Sequence, residues 1–133
     1  MPRTRPEPIF SCMDWTTWSI LGIVIVGFFL LKRASFVSVE SARQLVRENA
    51  RIVDVRTEPE FRQEHVPGAI NIPLRDLEDR ISGEIPDTSK VILVHCLSGG
   101  RSAIAKGKLR KLGYTRVHNL GSFARALKAA RAS

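Results

Sequence analysis

The apolar residues of this chain follow two patterns. Between positions 15 and 31 they run without a charge, whereas from position 36 onward short β-branched runs alternate with stretches whose apolar residues recur at helical spacing. The second pattern predicts parallel strands joined by crossover helices. A strand over 36–39 leads into a helix over 42–48 capped by Ser41, with Leu45 and Val46 on its apolar stripe. Positions 51–55, Arg-Ile-Val-Asp-Val, read as a buried strand ending in a polar loop, and 58–64 as a short helix that tolerates Pro59 in its first turn. The turn Val66-Pro67-Gly68 enters a short strand over 69–73, after which Leu74, Leu77 and Ile81 share one helix face. Positions 91–94 are the most apolar run of this part, so that strand belongs at the centre, covered on both faces. A helix over 101–112 closed by Gly113, a strand over 117–120 and a helix over 123–130 complete the series. The expected fold class is α/β, three layers around a central parallel five-stranded sheet, with ligands bound beyond the carboxyl ends of the central strands.

The 17 residues from 15 to 31 lie between Asp14 and the pair Lys32-Arg33. As a helix they reach about 25 Å, a little short of the ~30 Å hydrocarbon core, and Trp15, Trp18, Lys32 and Arg33 are suited to close the gap at the headgroups. One transmembrane helix over 15–33 is the expectation. A buried core helix is disfavoured because so small a chain cannot enclose a segment apolar all round. A cleavable signal peptide is disfavoured because the run ends in two basic residues and Ala34-Ser35-Phe36 is a poor cleavage site. Lys32, Arg33, Arg43, Arg47 and Arg51 follow the run, whereas only Arg3 and Arg5 precede it. The positive-inside tendency then gives a single-pass protein of the inner (plasma) membrane with its C-terminal domain in the cytoplasm, where a membrane protein is a candidate partner. Residues 1–14, with three prolines, read as a disordered tail, and Met13 is an alternative start. No apolar stretch precedes Cys12, which reads as a free thiol rather than a lipid-attachment site.

A length of 133 residues leaves room for one domain, over 36–133, besides the tail and the apolar helix. The net charge of +8 is concentrated. Positions 101–133 hold nine basic residues and no acidic one, so the rest of the chain sums to 8 − 9 = −1. A solvated basic face is the plain reading, and attraction to anionic lipid suits a tethered domain. Nucleic acid is not an expected partner, because no interleaved aromatics or binding motif accompany the basic residues. Two cysteines so far apart form no disulfide framework, which leaves Cys96 reduced. No group of residues has metal-ligand spacing, and no metal or cofactor is expected.

The candidate chemistry lies in the loop after the central strand, His95-Cys96-Leu97-Ser98-Gly99-Gly100-Arg101-Ser102, which runs directly into a helix. Gly99 and Gly100 allow the backbone to fold back and aim its N–H groups at the sulfur. The positive end of the helix dipole and the charge of Arg101 add to the same field. Each of these favours a thiolate at Cys96, whereas a cysteine that only packs needs neither two glycines nor an arginine behind it. His95 is adjacent in a strand and therefore faces the opposite side of the sheet. His65 reads as a turn residue and His118 as a surface residue.

Cys96 to Arg101, followed by Ser102, resembles the six-residue active-site loop of the rhodanese family. Asp54-Val55-Arg56 is similar to that family's D-V-R, and Glu60-Phe61 through His65-Val66-Pro67-Gly68-Ala69-Ile70-Asn71-Ile72-Pro73 to its E-[FY]…H-[IV]-P-G-A-x-N-[IL]-P segment. The resemblance implies a rhodanese-like domain in which Cys96 takes a sulfane sulfur from a donor such as thiosulfate, holds it as a persulfide and passes it to a thiol or cyanide acceptor. It implies that Leu97, Ser98, Gly99 and Gly100 cradle the anionic sulfur, and that Arg101 either binds donor anions or fixes the loop through a carboxylate. Arg56 is implied near the site, either at an anionic substrate or paired with Glu60, whereas Asp54, Pro67 and Gly68 are implied to be structural. A Gly-Gly pair and a tryptophan after the last strand are common in the family; here there is one glycine, Gly121, and no tryptophan. Two rival functions remain. Phosphatases and arsenate reductases of similar fold carry one more residue between cysteine and arginine, and a rhodanese scaffold can also serve as a non-turnover binding or sulfur-relay module for a membrane partner.

Overall fold

The computed structural model describes residues 14–131. The chain divides into two compact units between Ala34 and Ser35. The first holds helix α1, Trp15–Ala34, whose large apolar side chains are exposed all round, from Trp15 and Trp18 to Leu30 and Leu31.

The expected transmembrane span is overturned, and with it the placing of the chain as a single-pass inner-membrane protein. Among the described residues no helix is long and apolar enough to cross a membrane. The physical reason lies in the length of the apolar run. Only 17 residues of α1 precede Lys32, and about 25 Å of apolar helix falls short of a ~30 Å core. The tail expected over 1–14, and with it Cys12, lies almost wholly outside the described residues.

The second unit is a sheet between two helical layers. Its elements are α2 (Val39–Arg47), β1 (Arg51–Asp54), α3 (Glu58–Gln63), β2 (Ile70–Asn71), a 3-10 turn (Leu74–Asp76), α4 (Leu77–Glu84), β3 (Ile92–Cys96), α5 (Gly100–Lys111), β4 (Val117–Ser122) and α6 (Phe123–Ala130). All strands are parallel, in the order β2-β1-β3-β4. The sheet thus has four strands where five were expected. The missing one is the run over 36–39, from which only the Val37 N–H reaches the sheet, donating to Asn119 O at 3.0 Å. Ser38 ends that run because its side chain accepts the Ser41 N–H and caps α2, so the chain is already helical at Val39.

β3 is central and buried at every residue. Ile92, Val94 and Cys96 face one core with Val53, Val55, Ile81, Ala105 and Leu109, beneath α4 and α5. Leu93 faces the other, with Ala42, Ile52, Leu120, Ala126 and Ala129, beneath α2 and α6. This alternation of period two gives the three layers and decides which side of the sheet each end-of-strand residue meets.

Candidate active site

Cys96 ends β3, and α5 begins at Gly100, so three residues carry the chain from strand to helix. The turn is tight enough that the Gly99 N–H donates to Cys96 Sγ at 3.0 Å. Burial, which leaves the residue 1% exposed, pushes the Cys96 thiol up. The amides of Ser102 and Gly99, the Ser102 hydroxyl and the Ser98 amide outweigh it, and the thiol settles below its ordinary value. Ser102 lies in the first turn of α5, where N–H groups have no partner within the helix and the dipole is positive. An anion of one sulfur is therefore solvated by the backbone.

The two loop glycines do different work. Gly99 sits at φ +105°, and a Cβ on it would come within 2.9 Å of the Phe36 ring. Gly100 is helical and has open space where a Cβ would be. Phe36 also limits Gly121, at φ +90°, where a Cβ would meet its ring at 3.2 Å. Gly121, which lies inside β4, thus stands where the register of β3 and β4 shifts, beside a ring wedged against both Gly99 and Gly121. Arg125 holds this corner, donating to Val37 O at 2.6 Å and Leu120 O at 3.0 Å with its guanidinium 5.8 Å from the Phe36 ring.

Behind the loop lies a buried polar pair that sequence reasoning missed. Ser102 Oγ lies 2.8 Å from Asn119 Oδ1 and 3.0 Å from Gly99 O, and Asn119 Oδ1 also accepts the Gly121 N–H at 3.0 Å. The hydroxyl has one proton, and its shortest contact is Asn119, so the backbone amides carry most of the field at the sulfur. The signal available in the sequence was an asparagine between the apolar positions Val117 and Leu120 of a strand.

Arg101 makes a forked pair with Glu60, at 2.8 and 2.9 Å. Of the two roles open to it, this pair is the contact that fixing the loop through a carboxylate requires. Glu60 in turn caps α3, accepting from Thr57 N and Thr57 Oγ1 at 2.8 Å, in a capping box. The Arg101 hydrogen bond comes first among the causes that hold the Glu60 carboxyl well below the usual carboxylate range. Arg56, implied near the anion or paired with Glu60, is instead 4% exposed and bound to Asp54 by three contacts of 2.7–3.0 Å. It also donates to Glu64 O at 2.8 Å and lies 4.5 Å from the Phe123 ring. Leu97, Ser98 and Gly100 are exposed at the rim, and Gly99 is buried. His95 faces away from Cys96 Sγ, toward Asp54 and Phe123, as expected from its place in the strand.

A family model described as the rhodanese-like domain matches residues 38–128. The thiosulfate sulfurtransferase PspE of Escherichia coli is 45% identical over 69 residues, which are 52% of this chain and 66% of that protein. Thiosulfate sulfurtransferase 16, chloroplastic, of Arabidopsis thaliana is 36% identical over 97 residues, covering 65% of this chain and 80% of the relative. Of the first two curated relatives the match spans 66% and 45% of their own length. Among solved structures, a human single-domain sulfurtransferase, TSTD1, superposes with a TM-score of 0.62 at 29% identity, over 71% of this chain and 96% of that one. A rhodanese with anions from E. coli does so with a TM-score of 0.55 at 41% identity, over 57% and 89%. With a cysteine ringed by amide donors at the end of the central strand, and a family model on the same residues, the chain belongs to the rhodanese-like domain family.

Proposed function

We propose that residues 36–133 form a working sulfurtransferase domain, in which Cys96 carries a sulfane sulfur from a donor such as thiosulfate to a thiophilic acceptor, a thiol or cyanide. The observation that carries this reading is the 3.0 Å contact from Gly99 N–H to Cys96 Sγ, within a ring of amides that holds the thiol below its ordinary pKa. The thiolate attacks the outer sulfur of thiosulfate. The sulfur–sulfur bond of the donor breaks, sulfite leaves with the electron pair, and Cys96 keeps the transferred sulfur as a persulfide. Residues 97–100 surround that anion with N–H donors, an electrostatic role like that of an oxyanion hole, and Arg101 keeps the loop in shape through Glu60. Arg56 supports the site from below by holding Asp54 at the end of β1.

A second reading, a binding or relay module that turns over no small donor, draws on Leu97, which is 59% exposed on the rim beside a sulfur that is itself buried. Mass spectrometry after incubation with thiosulfate separates the two. A gain of one sulfur on Cys96, with release of thiocyanate on adding cyanide, is the expected result. Cys96→Ser should abolish both and keep a near-equal melting temperature. Turnover that survives this substitution would remove Cys96 from its role, and an unmodified wild-type Cys96 would leave the binding module.

A further inference from the structure

Beside the sulfur loop the domain has a cavity of about 520 Å³ that the transfer of sulfur to Cys96 leaves unused. It lies between α3 and the 3-10 turn. Val55, Pro59 and Leu74 give it apolar walls, and Arg62, Arg75 and Arg101 give it a cationic rim against one carboxylate, Glu58. The three cations differ in what holds them. Arg101 is engaged by Glu60. Among the described residues Arg75 pairs only with its neighbour Asp76, at 3.4 Å and with 82% of its side chain exposed, a contact worth little. Arg62 has no ion pair or side-chain hydrogen bond among the described residues.

The cavity adjoins the chemistry through Arg101. Arg101 both lines the cavity and follows Gly100 directly, so the cavity borders the residue that closes the Cys96 loop. A volume of this size suits a small organic ligand and far exceeds what a five-atom donor needs. One unpaired and one weakly paired guanidinium around apolar walls suit a molecule with an apolar middle and carboxylate ends, because the guanidinium fork matches a carboxylate in two-point geometry.

We propose that this cavity is the acceptor subsite, and that Arg62 and Arg75 select small thiols bearing carboxylates over neutral thiols. The inference rests on the reading of Cys96 as a persulfide carrier and adds the class of its acceptor. The acceptor thiolate attacks the outer sulfur of the Cys96 persulfide. A sulfur–sulfur bond forms on the acceptor, the bond to Cys96 Sγ breaks, and its electron pair returns to Cys96 as the thiolate. The acceptor leaves as a persulfide, with no net oxidation or reduction.

The test uses the full chain, loaded with thiosulfate and freed of donor, then mixed at low salt with mercaptosuccinate or with 2-mercaptoethanol at equal thiolate concentration. Loss of the Cys96 persulfide is followed by rapid-quench mass spectrometry. The wild type should discharge about tenfold faster to mercaptosuccinate at limiting concentration, the scale of one good charged contact. The double variant R62Q/R75Q should lose that preference, load normally and keep its rate with 2-mercaptoethanol. Added salt should erode the wild-type preference in the same way. Equal wild-type rates with the two thiols would overturn the inference, as would a variant whose rate falls equally for both. Failure of wild-type Cys96 to load at all is a different result, and would remove the persulfide reading together with its acceptor.

Discussion

Cys96 and His95 are neighbours at the end of the same central strand, both essentially closed to solvent, and they meet opposite fates. On one face, burial of the sulfur is outweighed by amide donors that converge on it, and the thiol settles below its ordinary value. On the other face, burial drives the His95 imidazole below its ordinary pKa; Asp54 and the Cys96 carbonyl pull against it and Arg56 adds to the push. His95 Nε2 has no hydrogen-bond partner, with Asp54 Oδ2 at 3.7 Å. Depth in the fold is the same, and what differs is whether donors are already aimed at the group. The backbone arranged around the sulfur favours its anion, while burial without such donors favours the neutral form of the histidine next to it.

The largest effect should come from removing the ion that organises the histidine face. Asp54 is fully buried, and Arg56 binds it through both its side chain and its backbone N–H. Asp54→Ala leaves a buried guanidinium without its carboxylate and should cost about 3–5 kcal/mol in urea unfolding. A loss under about 1 kcal/mol would mean that the two faces differ less than their contacts suggest.

The next effect tests the sulfur face. Gly99→Ala places a Cβ in the left-handed region, which costs about 1–2 kcal/mol, and drives it against Phe36, which adds about 1–3 kcal/mol. The strain is relieved by a shift of the Phe36 ring or of the loop, and a shift of the loop withdraws the Gly99 amide from the sulfur, so sulfur transfer should fall with stability. Gly100→Ala, in open space within the first turn of α5, should change stability by less than about 1 kcal/mol and leave turnover near wild type. Equal losses at the two positions would show that both glycines serve the turn.

How much of this could be read from sequence follows from the range of the interactions. The cysteine loop, the D-V-R segment and most elements were legible because alternation, caps and turn residues are local signals. The five-strand expectation failed at 36–39 because β-branched residues there compete with a cap at Ser38 that starts a helix at once. The transmembrane expectation leaned on flanking residues to extend a run that is too short. The pairing of Arg101 with Glu60 spans 41 positions in sequence, and Phe36 meets Gly99 and Gly121 across most of the domain, so no local pattern could assign either. The different needs of Gly99 and Gly100 depend on backbone angles that the dipeptide does not reveal.

The smallest expected effect sharpens the comparison most, because one titration reads both faces. The pH dependence of Cys96 alkylation follows its thiolate, and the midpoint should lie below that of a free thiol. Ser102→Ala removes a hydroxyl that favours the anion and leaves the Ser102 amide in place, so the midpoint should move to higher pH, though it should stay below that of a free thiol. His95→Leu should leave this midpoint unchanged, since the imidazole faces the other side of the sheet. Its effect belongs instead to stability. Because the folded pKa of His95 is depressed, the unfolded chain binds the extra proton first, and stability is lost as pH falls below about 6.5 toward the folded value. His95→Leu should therefore flatten the acid side of the stability curve and cost less than about 1 kcal/mol near pH 8, where it removes only a poorly bonded polar ring. A shift of the Cys96 midpoint in this variant would instead tie the histidine to the sulfur through the strand, and the two faces would then act as one site.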